Sequence, residues 1–109
     1  MKNNYDESQK VYEKDGFVIL KVYSDKKVGY IVYNTKKEWE NGHTHLKSFD
    51  VGKTIISNVL HRKKPKTSNM YLLKSHIRIS DDEAYIKFIE ELIAVKKSKQ
   101  KQVYRNRTY

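Results

Sequence analysis

The chain has 109 residues, 38% hydrophobic and 33% charged, with a formal net charge of +10 and no cysteine. That length holds one domain with one modest core, and the missing thiols exclude disulfide frameworks and thiolate metal sites. The longest apolar run, Phe17 to Leu20, is far too short to cross a bilayer, and Met1–Asp6 lead into no apolar segment of the kind a signal peptide needs. The expectation is therefore a soluble, cytoplasmic protein with no membrane partner.

Residues 1–16 are polar without a sustained period and read as a loose arm or a poorly formed edge strand. Phe17–Tyr23 (FVILKVY) and Val28–Tyr33 (VGYIVY) are rich in β-branched and aromatic residues, and they read as an antiparallel hairpin across Ser24–Lys27. Both runs are apolar on both faces over much of their length, so a covering layer is expected on each side. Asn41-Gly42 carries the signature of a type I′ turn, predicting a second, shorter hairpin with Trp39-Glu40 before it and His43–Leu46 after it.

Helical periodicity follows. Asp50 is placed to cap a helix that buries Val51, Ile55, Ile56, Val59 and Leu60, ends in His61-Arg62-Lys63-Lys64 and stops at Pro65. A second helix begins at Ser68 and buries Leu72, Leu73, His76 and Ile77. A third starts with Ser80 and Glu83 as a capping box and Ile79 with Ala84 as a hydrophobic staple, then repeats Tyr85, Phe88, Ile89, Leu92 and Ile93 at helical spacing. After Val95 the apolar stripe ends, and 96–109 reads as a frayed helical extension or a flexible basic tail. The predicted fold is α+β over 17–95: a small antiparallel hairpin or sheet from the N-terminal half, packed by about three C-terminal helices.

Charge is unevenly placed. Residues 1–50 hold nine lysines against eight acids, whereas 51–109 hold fourteen Lys and Arg against five acids, all five between Asp81 and Glu91. Such asymmetry points to a polyanionic partner. Nineteen lysines against four arginines also fit an AT-rich genome, so the total alone names no partner. The candidate contacts are Arg62, Lys63, Lys64 and Lys66 in one loop, Lys74 and Arg78 one turn apart on the second helix, and Lys96, Lys97, Lys99, Lys101, Tyr104, Arg105 and Arg107 beyond the third. Lysine and arginine neutralise phosphates and release counterions, and a tyrosine ring stacks on an unpaired base.

His43 and His45 share a strand face by their spacing, which suits contact with one phosphate. The same pair fits two rarer chemistries, a metal site with a third ligand from elsewhere or general acid–base cleavage of RNA. The ordinary alternative is packing beside Trp39 with a hydrogen bond to the turn. Gly52-Lys53-Thr54 lacks the glycine five positions upstream that a phosphate-binding loop needs, since Lys47 stands there, and no other cofactor motif is present. A helix-turn-helix reading of the first two helices meets a connection, Arg62–Thr67, longer than the usual turn.

Gly42-His43-Thr44-His45-Leu46-Lys47-Ser48-Phe49 and Ile79-Ser80-Asp81-Asp82-Glu83-Ala84-Tyr85-Ile86 carry a resemblance. From about Gly29 to Lys97 the chain resembles small proteins encoded by phages and mobile elements of AT-rich Gram-positive bacteria, some of which are anti-CRISPR or other anti-defence factors. The resemblance assigns no residue roles. It implies an inhibitor that engages guide RNA or an acidic patch of the effector, because a +10 protein does not mimic the phosphates of DNA. The expected function is thus non-enzymatic binding of nucleic acid or a nucleoprotein complex, with no cofactor and no metal. An acidic protein surface is the alternative partner, and a DNA-binding regulator or an RNase-like toxin using His43 and His45 are the alternative functions.

Overall fold

The computed structural model describes the backbone over residues 7–107 and the side chains over 8–98. Four strands, β1 (Glu7–Lys14), β2 (Phe17–Ser24), β3 (Lys27–Asn34) and β4 (His43–Leu46), precede three helices, α1 (Phe49–Leu60), α2 (Met70–Ile79) and α3 (Glu83–Arg107). The strands form one antiparallel sheet in the order β1-β2-β3-β4. The fold is α+β, as the sequence predicts.

The sheet is one strand wider than the hairpin reading. Glu7–Lys14, read above as part of a loose arm or a poorly formed edge strand, is an edge strand that pairs with β2 along its length. Asp15 and Gly16 make this possible, because both take positive φ (51° and 91°) and reverse the chain in two residues. A bulge at Val11 then brings Lys10 and Glu13 to one face, where Nζ and Oε1 meet at 2.8 Å. The β2–β3 turn is equally tight: Ser24 pairs with Lys27, leaving Asp25 and Lys26 at φ 47° and 67°.

Asn41-Gly42 does not form the predicted I′ turn. Neither residue has a positive φ, and the N–H groups of Asn41 and Gly42 donate to the Glu38 carbonyl at 3.1 and 2.9 Å, as in a turn of helix. Gly42 is required there for a different reason: a side chain would meet Lys37 Cβ at 2.6 Å. Trp39 therefore lies in the 35–42 connection and not in a strand.

Alternation along the strands assigns their two faces. Phe17 and Ile19, Asn34 and Val32, and Thr44 and Leu46 face the helices, and the apolar members of this set join the core. α1 lies hard against them, since a Cβ on Gly52 would sit 3.0 Å from Val32 Cγ2 and 3.2 Å from Ile19 Cδ1. Close packing, and not phosphate binding, explains this glycine. Ile55, Ile56 and Val59 of α1, Leu73 and Ile79 of α2, and Tyr85, Ile89 and Ile93 of α3 complete the core. The strand residues that cluster with the core of the helices, Phe17, Ile19, Val32 and Leu46, are all on this face. On the other face Val18, Val22 and Ile31 are buried too, beside Tyr33, His43 and His45 in neighbouring registers.

Each helix start is displaced from its predicted cap. Ser48, not Asp50, caps α1 by accepting from Val51 N at 3.3 Å, and Asn69, not Ser68, caps α2 by accepting from Leu72 N at 3.1 Å. Ser80 ends α2, and its hydroxyl accepts from Asp82 N, while Asp82 Oδ1 accepts from the N–H groups of Ala84 and Tyr85. Asp82 is thus the α3 cap. Each start carries two competent oxygens within two residues, which is why the cap shifts by one or two positions from the predicted one.

Lys26 holds a left-handed conformation that costs a side-chain-bearing residue about 1 kcal/mol. Lys26→Gly is expected to raise stability by up to about 1 kcal/mol, seen as a higher urea midpoint with an unchanged slope. A lower midpoint would mean that the Lys26 side chain stabilises the turn by more than its backbone costs.

Candidate nucleic-acid interface

The predicted basic loop is a fixed scaffold. α1 ends with Arg62 at φ 52°, its N–H donating to Val59 O and that of Lys63 to Asn58 O at 2.9 Å, the two bonds of a Schellman ending. Pro65 is buried. Arg62 Nε pairs with Asp82 Oδ2 at 2.6 Å, and the Tyr85 hydroxyl donates to Lys63 O at 2.7 Å. Burial pushes the Tyr85 phenol up to about 12, so it stays a donor across the physiological range. Arg62 is therefore turned to α3 and fixes the loop, while Lys63, Lys64 and Lys66 are exposed from a pinned backbone.

On α2, Lys74 is exposed, but Arg78 and Tyr71 are tied to β4. Arg78 Nε donates to His43 O at 3.1 Å and the Tyr71 hydroxyl to His45 O at 2.7 Å, closing the outward carbonyls of an edge strand. A helix held in this way along a sheet is not presented for insertion into a DNA groove, and the α1–α2 connection spans 61–69, longer still than the stretch read from sequence.

Between α1, the loop and α2 runs a furrow of two adjoining hollows, about 480 and 530 Å³, which share Val51 and Leu72 as a common ridge. The first is bordered by Lys63, Lys64 and Lys66, the second by Lys47, Asn69 and Tyr71. Among the described residues on its walls, Asp50 is the one acid. His76 closes the first hollow: Nδ1 donates to Leu72 O at 2.7 Å, which leaves Nε2 to accept from Asn58 Nδ2 at 3.1 Å. Burial holds this imidazole below its ordinary pKa, opposed by the bond to Leu72. Lys47, Tyr71 and the Val51–Leu72 ridge were not singled out from sequence. The signal was present in Tyr71, a large aromatic on the polar side of α2.

The two predicted histidines do come together. Their rings meet edge-on with centroids 5.1 Å apart, and Trp39 stacks on His43 at 4.3 Å and 8°, with Tyr33 edge-on to Trp39. His43 Nδ1 also bonds the Trp39 carbonyl. This is the packing arrangement, with the imidazole covered and oriented by its own turn. His45 is held below its ordinary pKa by partial burial, then by His43 and Arg78. Among the described residues no group of three His, Asp or Glu converges as a metal site would require.

The C-terminal candidates lie on α3, whose helix runs to Arg107. Lys96 is half-buried and Lys97 exposed. The side chains of Lys99, Lys101, Tyr104, Arg105 and Arg107 lie outside the described residues. No helix among the described residues is long and apolar enough to cross a membrane. Comparison with protein-family models, with curated proteins and with solved structures gives no match to this chain.

His76 makes the furrow wall sensitive to acid. Its folded pKa lies below the ordinary 6.5, so the stability it contributes is complete above about pH 6.5 and is lost as pH falls below that value. Unfolding midpoints in urea should be flat from pH 8 to 7 and decline between about 6.5 and 5, and His76→Gln should reduce that decline and leave the part that His45 contributes. A decline of undiminished size in His76→Gln would assign it to groups other than His76.

Proposed function

We propose that this protein is a non-catalytic nucleic-acid-binding protein whose contact surface centres on the 63–66 loop and the furrow it borders. The observation that carries this reading is the state of the loop lysines. Lys63, Lys64 and Lys66 stand on a backbone fixed by Arg62–Asp82 and Tyr85–Lys63, and among the described residues none of the three forms an ion pair. Three ammonium groups against the single carboxylate of Asp50 on the same hollow concentrate anions, and a phosphate chain releases more counterions there than separate anions do. Lys74 extends the same charge along α2.

The partner of this reading is RNA or DNA, free or within a nucleoprotein complex. Guide RNA in a host defence effector is the instance implied by the resemblance to phage-encoded proteins. Catalysis by His43 and His45 finds less support, because His43 is stacked under Trp39 and bonded to its carbonyl.

The test is fluorescence anisotropy with labelled oligonucleotides between 50 and 200 mM salt. The triple variant Lys63→Glu, Lys64→Glu, Lys66→Glu should bind at least roughly tenfold more weakly. Its plot of log affinity against log salt should flatten by about 0.7–0.9 for each phosphate that is no longer neutralised. No binding by the parent protein at low salt, or an unchanged slope in the variant, would remove this reading.

A further inference from the structure

The furrow has features that a purely electrostatic contact does not need, and its reading here rests on the nucleic-acid function proposed above. Its floor is apolar, and the Val51–Leu72 ridge divides it into two hollows of about 480 and 530 Å³. Each is within the size range of pockets that enclose a small planar ligand. Tyr71 stands at the mouth of the second hollow, 51% exposed, with its hydroxyl bonded to His45 O at 2.7 Å. Such a ring is both accessible and oriented. A large aromatic left half in water on a small protein loses apolar burial, and its hydrogen bond fixes it in that position.

The two ends of the furrow carry the charge: Lys47 at the Tyr71 end and Lys63, Lys64 and Lys66 at the other. Phosphates and flat apolar groups alternate along an unpaired nucleic-acid strand, and this is the alternation the walls and floor present. A duplex does not fit the same description, because its base faces are stacked inside and its backbone offers phosphates only. An acidic amphipathic peptide helix fits less well, because its apolar row requires one continuous trough and the ridge interrupts it.

We propose that the furrow between α1 and α2 is a track for a single nucleic-acid strand, with bases taken by Tyr71 and the two hollows and phosphates by Lys47, Lys63, Lys64 and Lys66. The track reads the unpaired state and not the sequence, since stacking accepts every base.

The experiment compares the full chain on a labelled fifteen-nucleotide thymidine strand and on a blunt duplex of equal length at fixed salt. The strand should bind at least roughly tenfold more tightly. Tyr71→Ala should weaken strand binding by roughly tenfold with the salt slope unchanged, and Tyr71→Phe, which keeps the ring, should retain most of it. Lys64→Glu with Lys66→Glu, both exposed and away from the core, should lower the salt slope on the strand. Circular dichroism and urea midpoints establish that each variant is folded.

Equal or better binding to the duplex would overturn the track and leave the broader nucleic-acid reading standing. Strand preference that survives both Tyr71→Ala and the paired lysine change would do the same, since the strand would then lie elsewhere. Polyglutamate that displaces the strand at equal charge concentration would reassign the furrow to acidic proteins. Binding to neither oligonucleotide at 50 mM salt would remove both readings together.

Discussion

The seating of α2 across the end of the sheet is the constraint on which the rest of this structure depends. A short edge strand leaves outward carbonyls, and a helix C-terminus leaves its own unpaired carbonyls. Here α2 satisfies the carbonyls of β4, while Asn34 of β3 and Lys37 of the 35–42 connection satisfy those at the end of α2. Tyr71 and Arg78 of α2 donate to the carbonyls of His45 and His43, while Asn34 Nδ2 donates to Ile79 O at 2.9 Å and Lys37 Nζ to the carbonyls of Arg78 and Ser80 at 2.8 and 3.0 Å. Between them Thr44 donates to the Ser75 hydroxyl at 2.7 Å, and Ser75 donates to Tyr71 O at 3.0 Å. Burial lowers the Lys37 pKa, opposed by Asp81 and assisted by Arg78, yet its ammonium sits where the helix dipole favours a cation.

The remaining geometry follows from that seating. With α2 tied to β4, and Gly52 allowing α1 to lie directly on Ile19 and Val32, the two helices meet at a fixed separation set by Val51 and Leu72. The furrow is the space this leaves. Its outer wall is the 61–69 connection, which would be mobile if it were only a loop. Asp82 prevents this by two roles at once, capping α3 with one carboxylate oxygen and pairing with Arg62 through the other. α3 therefore acts on the furrow without lining it.

Much of the architecture was legible because periodicity is a strong signal. The stripes Val51–Leu60 and Tyr85–Ile93 and the runs FVILKVY and VGYIVY each identified an element that exists. The errors are local and have local causes. Asp15-Gly16 is as good a two-residue turn as Asn41-Gly42, but β1 has few apolar residues to announce it, because an edge strand with half its face in water tolerates Ser8, Gln9 and Lys10. Asn41-Gly42 failed because Gly42 is needed for its small volume beside Lys37, and a sequence does not distinguish that need from a need for positive φ. The candidate site was legible as charge and illegible as shape. Lysines at 63, 64 and 66 stand out in any reading, whereas the hollow beside them exists only once α1 and α2 have docked.

Charge placement argues the same point from stability. Fully burying an isoleucine stabilises by about 1.5–3 kcal/mol, and Ile19, Ile31, Ile55, Ile56, Ile79 and Ile89 are all buried. The ion pairs among the described residues, Lys10–Glu13 and Arg62–Asp82, lie at or near the surface and contribute about 1 kcal/mol each at most. The core holds the fold, and a net charge of +10 repels itself and stabilises nothing. An AT-rich genome would raise the number of lysines but would not remove acids from one segment. Residues 51–80 contain seven basic side chains and no acidic one, although Asp and Glu are as common as in any ordinary protein across residues 1–50. Asp82 is paired with Arg62, and Asp50 is the one acid on the wall of the hollow that Lys63, Lys64 and Lys66 border. Among the described residues Lys63, Lys64 and Lys66 form no ion pair, so their mutual repulsion is a cost to folding that the core offsets.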